Sequence, residues 1–445
     1  MPPNYTYRAG QIKNIFQKNL ANDGWRVSIR PVIKLPELLA PAGTLDAFKT
    51  AILYGADAIY AGLPGFSMRA RAKISTDEVK TGIELAHAAG KKVYLAFNLF
   101  AHDSEYANMP RVSEIIRYLS PDALIVSDPG VLVWVREHHP DIPIHISTQA
   151  NICSAASVKF WQAAGASLCV LAREVSHREF ISIRRACTDI KLEIFVHGAM
   201  CMSYSGRCLL SNFITGRPAN RGACAQLCRW KYDVILRECE SGIEMPITED
   251  ERGAYIMNSK DLCLMPRLAE VIAAGPDSLK IEGRNRSEYY VGSVVHAYRA
   301  AMDAWARDPE NFDPAKYMEM LNVLESRGYT TAFFDGPVPP DAHNYDSARS
   351  VSEYHAAGVV TAKNDSEITL ELRNEIKTGD EITFVIPNES RGARVQVRQI
   401  INARDNSILP KMSAGQHNAI KIPRDWVNAN DFDKLVPLVL AYKHK

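Results

Sequence analysis

Four cysteines crowd one stretch of the chain, HGAMCMSYSGRCLLSNFITGRPANRGACAQLCRWKYD. Cys201, Cys208, Cys224 and Cys228 fall there in the spacing Cys-x6-Cys-x15-Cys-x3-Cys. Thiolate sulfur is a soft ligand that selects iron–sulfur clusters, zinc or copper(I). Short spacings let one loop supply several ligands at little entropic cost. Structural zinc usually brings Cys-x2-Cys knuckles, and this stretch has none. Spacing therefore puts an iron–sulfur centre first, with zinc and a metal-free loop still open. Local charge favours an anionic centre. Between Glu193 and Asp233 there is no acidic residue, but Arg207, Arg217, Arg221, Arg229 and Lys231 are all present. The same bases also suit phosphate or a solvated face. Trp230 and Tyr232 alternate with Arg229 and Lys231, a pattern that can stack on an unpaired base or simply pack.

The chain has nine cysteines in 445 residues. No apolar run follows a basic start at the N-terminus, and none is long enough to span a bilayer. The expectation is a cytoplasmic protein without a membrane segment, where cysteines are core residues, ligands or reactive thiols rather than disulfides. Cys153, Cys169 and Cys187 sit among apolar neighbours and read as core. Cys239 reads as an exposed bystander, and Cys263 as a candidate fifth or substitute ligand. The net charge of +1 excludes a polycation, so nucleic-acid binding would need a local basic patch.

These residues need a scaffold. Runs of β-type composition occur at 37–40, 57–61, 92–97, 122–126, 143–147, 167–171, 192–196 and 277–281. Helical spacing separates them, for example at 44–54, 76–89, 112–119, 155–164 and 177–185. Strands alternating with amphipathic helices mean parallel βα units. Eight units over roughly 250 residues predict an α/β fold, a (β/α)8 TIM-like barrel, with a doubly wound open sheet as the competitor. The last gap, from 192 to 277, is far longer than the others. It places a cysteine-rich insertion (197–276) after strand seven, at the end of a barrel that carries the active site. Residues 1–34 form an N-terminal extension, 35–335 the barrel domain, and 336–350 a linker rich in Pro, Asp and Ser. Residues 351–445 switch to alternating β-type runs and predict a small C-terminal all-β barrel domain.

Several motifs together carry a resemblance. ELLAPAGTLDAFKTAILYGADAIYAG, SDPG, ISTQAN, FVHGAMCMSYSGRCLLSNF, NRGACAQLCRWKY, YIMNSKDL and SLKIEGRNRSEYYV resemble the collagenase-like peptidase family U32, from about Leu35 to Gly328 and more loosely through the C-terminal domain. The resemblance is strongest to members that modify tRNA. It implies an oxygen-independent hydroxylase that forms 5-hydroxyuridine at the wobble position of tRNA, with prephenate as the hydroxyl donor. It also implies a 4Fe–4S cluster on Cys201, Cys208, Cys224 and a fourth thiolate, for which Cys228 is the economical choice and Cys263 the reserve. Other members hydroxylate a ribosomal RNA or a quinone precursor, and these remain alternatives.

Polar residues at the ends of barrel strands are the remaining site candidates: Glu37, Tyr60, Asn98, Asp128, Gln149, Arg173, Glu174, His197, Lys280 and Glu282. Prephenate has two carboxylates, which Arg reads bidentately, so Arg69, Arg71, Arg173 and Arg284 are expected to bind it. Asn98, Gln149, Arg229 and Lys231 complete the expected substrate contacts. His197 suits a general acid or base, or a residue that orients the cysteine loop. Lys280 and Glu282 alternate along strand eight and should share a face, with Glu282 the candidate base for a pyrimidine C5 proton. A peptidase reading finds no HExxH and no GxSxG. It would have to pair Cys201 with His197 as nucleophile and base. A zinc-stabilised RNA-binding protein without chemistry is the third class.

Overall fold

Each of the eight β-type runs is a strand: β1 (Glu37–Pro41), β2 (Ala58–Gly62), β3 (Lys92–Phe97), β4 (Ala123–Val126), β5 (Ile144–Ile146), β6 (Leu168–Val170), β7 (Lys191–Gly198) and β8 (Ser278–Ile281). The structure, a computed structural model, describes residues 34–445 apart from 65, 68–73, 202, 206, 218, 220–222, 231–233, 238–243, 248–258, 338–341, 343–351 and 416. The strands pair in parallel and in sequence order, and β8 pairs with both β7 and β1. That double pairing closes the ring and excludes the open doubly wound sheet. Alternation along each strand sorts the side chains. Leu38, Ala40, Ile59, Ala61, Val93 and Leu95 join the large core beneath the helices. Leu39, Ala58, Tyr60, Tyr94, Ala96 and Ile125 form a separate small cluster in the lumen.

The helices are started by their own sequence. They are α1 (Leu45–Leu53), α2 (Thr76–Ala88), α3 (Met109–Leu119), α4 (Pro129–His138), α5 (Ala155–Ala163), α6 (His177–Ala186), α7 (Leu268–Ala273) and α8 (Glu288–Arg307). Ser75 with Glu78 and Ser176 with Glu179 form capping boxes that satisfy the first N–H groups of α2 and α6. Asp128 caps α4, whose first helical residue is Pro129. These caps sit where βα loops become helices, so they also fix the rim around the barrel mouth.

The insertion after β7 is not one continuous excursion. It holds a short helix (Leu210–Thr215) and an antiparallel pair, Val234–Arg237 with Glu244–Ile247. The strand Asp261–Cys263 then returns to the barrel wall, antiparallel to β7 and parallel to Tyr329–Thr330. Asp261 holds this return in place through ion pairs with Arg327 and with Arg286, the latter at 3.7 Å. Hence residues from 261 onward belong to the wall rather than to the excursion.

The C-terminal region is all-β, as its patterning predicts. Eight of its strands form one antiparallel sheet whose inward residues, among them Ile368, Leu370, Phe384, Ile420 and Ile422, meet in a single core. It docks on α1 and α8. The buried Tyr54 Oη donates to the Val385 carbonyl (2.8 Å) and accepts from the Leu440 N–H (2.9 Å). Gly292 in α8 allows this approach: a Cβ there would stand 2.5 Å from a Leu440 methyl. At the first turn of α8, Glu288 accepts from the Arg373 guanidinium at 2.9 and 3.1 Å. The N-terminal extension and most of the 336–350 linker lie outside the described residues, as does Cys239. Among the described residues no helix is long and apolar enough to cross a membrane.

Candidate active site at the barrel mouth

β7 and β8 lie side by side, with Glu193 opposite Ser278 and Phe195 opposite Lys280. Inside the lumen, Lys280 Nζ donates to Glu193 Oε1 at 2.7 Å, and Ser278 Oγ donates to Glu193 Oε2 at 2.9 Å. The Lys280 and Glu193 side chains are 5% and 1% exposed. Burial pushes the Lys280 pKa down, Glu193 opposes the shift, and Arg284 and Arg173 add to it. The ammonium stands 4.4 Å from the centre of the Tyr60 ring and 5.6 Å from that of Phe195. Arg173 lies over Phe195 at 4.1 Å, and its Nη1 donates to the Ala199 carbonyl at 2.7 Å. Buried Arg284 lies 5.8 Å from the Tyr60 centroid. Three cations and two aromatic faces thus surround one carboxylate, an arrangement suited to a small anionic, partly unsaturated ligand.

The opposite wall is neutral. Asn98, Ser127 and Gln149 follow β3, β4 and β5, and all three are buried. Ser127 Oγ, which can donate to only one acceptor at a time, lies 2.8 Å from Gln149 Oε1 and 3.1 Å from the Asn98 carbonyl. The structure therefore brings Lys280, Arg173, Arg284, Asn98 and Gln149 to one mouth. Glu193, Ser278 and Ser127 were not singled out from sequence. The period-two register of Glu193 with Phe195, and of Ser278 with Lys280, was the available signal.

Other candidates fall elsewhere. His197 does not enter the lumen. The β7–β8 register slips after Phe195, so His197 aligns with Ile281 and turns to the outer side. Its ring packs against Tyr290, Tyr298 and Tyr329 at 6.0, 5.6 and 5.4 Å. Burial pushes its pKa down to about 3, and Nδ1 has no hydrogen-bond partner. A neutral, enclosed imidazole is a packing residue, not an acid–base group, and it is not presented to the exposed Cys201 as a nucleophile's base. Glu282 is half-buried just beyond β8, where its N–H donates to the His197 carbonyl at 2.8 Å. Gly198, at φ +118°, permits this contact, because a Cβ would meet Glu282 at 2.7 Å. Glu37 opens β1, so it lies at the far end of the lumen, where Tyr94 Oη lies 2.9 and 3.0 Å from its two carboxyl oxygens. Asp128 is spent on the α4 cap. Arg69, Arg71 and Lys231 lie outside the described residues.

The cysteine segment crosses the mouth. It leaves β7 beside Arg173, and Arg207 then lies 5.3 Å over the ring of Phe100, which follows β3 on the opposite side of the barrel. Cys201 and Cys224 are exposed, Cys208 and Cys228 half-buried, and no described cysteine is in a disulfide. Ser211 ties the segment together, donating to the Arg217 carbonyl (2.7 Å) and accepting from the Ala225 N–H (2.9 Å). The Gln226 N–H reaches Cys224 Sγ at 3.3 Å. Among the described residues, no three metal-ligating side chains already stand together as a metal site. The donor set nevertheless fits an anionic thiolate cluster: four accessible sulfurs, a backbone N–H already on one of them, and no acidic residue within the segment's own sequence. Cys263 does not share that setting. Its thiol is buried between Tyr298 Oη (3.8 Å) and Met318 Sδ (3.6 Å), and burial pushes it up to about 11. Arg229 follows Cys228 in the turn Leu227–Arg229.

Residues 43–344 match the model of Peptidase family U32. The chain is 39% identical over 394 residues to tRNA hydroxylation protein P of Escherichia coli (strain K12), covering 79% of this chain and 86% of the relative. It is 35% identical over 441 residues to the protein of the same name in Haemophilus influenzae, covering 89% and 95%. A Collagenase of Porphyromonas gingivalis is 30% identical over 418 residues, covering 89% and 98%.

Proposed function

The chain belongs to peptidase family U32, and from that premise we propose that it is a tRNA hydroxylase, forming 5-hydroxyuridine at the wobble position with prephenate as donor. The observation that carries the reading is the cationic mouth: Lys280, Arg173 and Arg284 over Tyr60 and Phe195, beneath a segment with four accessible cysteines. Arg173 and Arg284 bind the two donor carboxylates, and the aromatic faces hold its ring. Lys280 adds positive charge to the mouth, its ammonium held by Glu193. Glu193 orients Lys280. Glu282, half-buried just beyond β8, would be the base for the C5 proton of the pyrimidine. Asn98 and Gln149 give the opposite wall its hydrogen-bonding edge.

Cys201, Cys208, Cys224 and Cys228 would hold a 4Fe–4S cluster, which would supply redox or Lewis-acid chemistry. The peptidase reading loses its catalytic pair, because His197 is enclosed on the far side of β7.

Two measurements test the proposal. Deleting the gene should remove 5-hydroxyuridine and its derivatives from tRNA mass spectra. Protein purified without oxygen should carry about four irons and four sulfides per chain. Unchanged tRNA sinks the substrate assignment, and zinc alone in the anaerobic protein sinks the cluster.

A further inference from the structure

The short helix Leu210–Thr215 is turned inside out. Its one fully buried side chain is Ser211, which is hydrogen-bonded to Arg217 and Ala225. Its large apolar side chains face water: Phe213 is 89% exposed and Ile214 51%, with adjoining Leu209 at 66%. Tyr204 and Trp230, at 46% and 48%, come from the same segment. Helices normally bury their apolar face, and a cluster of exposed large apolar residues marks a binding surface. The segment itself carries charge of one sign, while Glu174 and Glu179 lie close enough to Tyr204, at one edge of the patch, to contribute, after Cys153, to raising its pKa. No carboxylate occurs from 194 to 232, and exposed Arg207 leads onto the patch.

A protein interface would bring mixed charge to such a surface. Unpaired nucleotides bring flat apolar faces and phosphates together, and both are matched here. Position agrees. The segment spans the mouth from β7 to Phe100, so a base entering the lumen leaves its neighbours against the outer face of the segment.

We infer that the outer face of the cysteine segment, centred on Phe213 with Leu209, Ile214, Tyr204, Trp230 and Arg207, is the platform on which unpaired loop nucleotides of the tRNA stack while the target base enters the barrel. The inference rests on the tRNA reading above. It assigns the RNA grip to this segment rather than to the C-terminal domain, whose surface charge is mixed.

The test is a binding titration of a fluorescent anticodon stem–loop RNA, at one fixed salt concentration, with full-length protein purified anaerobically and matched for iron content. Phe213→Ala should weaken binding at least about fivefold, the lower end of base–aromatic stacking. Phe213→Trp should restore it. Phe160→Ala, at an aromatic residue 62% exposed on α5, should change nothing. Unchanged affinity in Phe213→Ala overturns the inference. So does a shift of the variant from dimer to monomer in sedimentation with RNA affinity intact, which would make the patch a contact between copies. Loss of binding in Phe213→Ala, with tRNA from the deletion strain normally modified, would keep the platform and remove the proposed reaction. Absence of stem–loop binding by the unaltered protein would overturn both.

Discussion

The barrel lumen and the cysteine segment meet at one site yet are built on opposite rules. In the lumen, charge is buried and satisfied: Lys280, Glu193 and Ser278 close on one another at 2.7 and 2.9 Å inside a ring of hydrogen-bonded strands. In the segment, polar Ser211 is buried while Phe213 is 89% exposed, and the cysteines are accessible but not gathered. The lumen is preorganised by the fold itself. On the proposed reading, the cysteines of the segment would be gathered by the cluster they hold. Substitutions should therefore act on stability in the lumen and on ligand content in the segment.

The sharpest break of that contrast is at the buried pair. Lys280→Met alone takes the ammonium from buried Glu193 and leaves it the Ser278 hydroxyl, which costs up to about 3–5 kcal/mol, whereas Lys280→Met with Glu193→Leu should recover much of that loss. Urea unfolding of the three proteins measures it, and all substituted forms should be inactive. A single variant as stable as the double would show that the lumen is wet and the pair weakly buried.

Acid should likewise unfold the barrel and not merely empty the segment. Burial pushes His145, His197 and His296 down to about 3, 3 and 4. They are neutral when folded and take up a proton on unfolding below about 6.5, so stability is complete above that pH and declines as pH falls. At pH 5 each contributes a loss of about 2 kcal/mol. His197→Phe should flatten the decline between pH 7 and 5 by about that amount in denaturant titrations. An unchanged slope would mean that the imidazole is already solvated.

The same contrast explains what the sequence made legible. Period-two apolar runs and helix caps are local, so all eight strands and the long interval after strand seven could be read directly. Lys280 and Arg284 were recognisable because they flank a strand end. Glu193 was not, since a carboxylate inside LEIFV looks like a break in an apolar strand until its partner on β8 is placed beside it. His197 was assigned to the mouth because it ends strand seven, four residues before Cys201. One extra residue in β7, invisible to a pattern, turns it outward. The strand Asp261–Cys263 was absorbed into the insertion because its pairing with β7 is long-range. Within the cysteine segment, residue types and charge were legible, but the inverted helix was not, because Leu209, Phe213 and Ile214 look like an ordinary buried face.

The smallest expected effect is the most discriminating, because one substitution can be placed in both regions. Cys201→Ser, Cys208→Ser, Cys224→Ser and Cys228→Ser change exposed or half-buried thiols on a segment outside the barrel wall. Each should shift barrel unfolding by no more than about 0.5 kcal/mol, as surface changes do, while abolishing bound iron. Cys263→Ser should do the reverse. Its thiol is packed against Tyr298 and Met318, so a hydroxyl there costs about 1–3 kcal/mol, with iron content unchanged. Iron and sulfide analysis beside urea unfolding reads both quantities from one preparation. Loss of iron in Cys263→Ser, with iron retained in Cys228→Ser, would move the fourth ligand into the wall and require the strand Asp261–Cys263 to open. The boundary between a fixed lumen and a ligand-ordered segment would then have to be redrawn through Asp261, whose ion pairs with Arg327 and Arg286 now hold that strand closed.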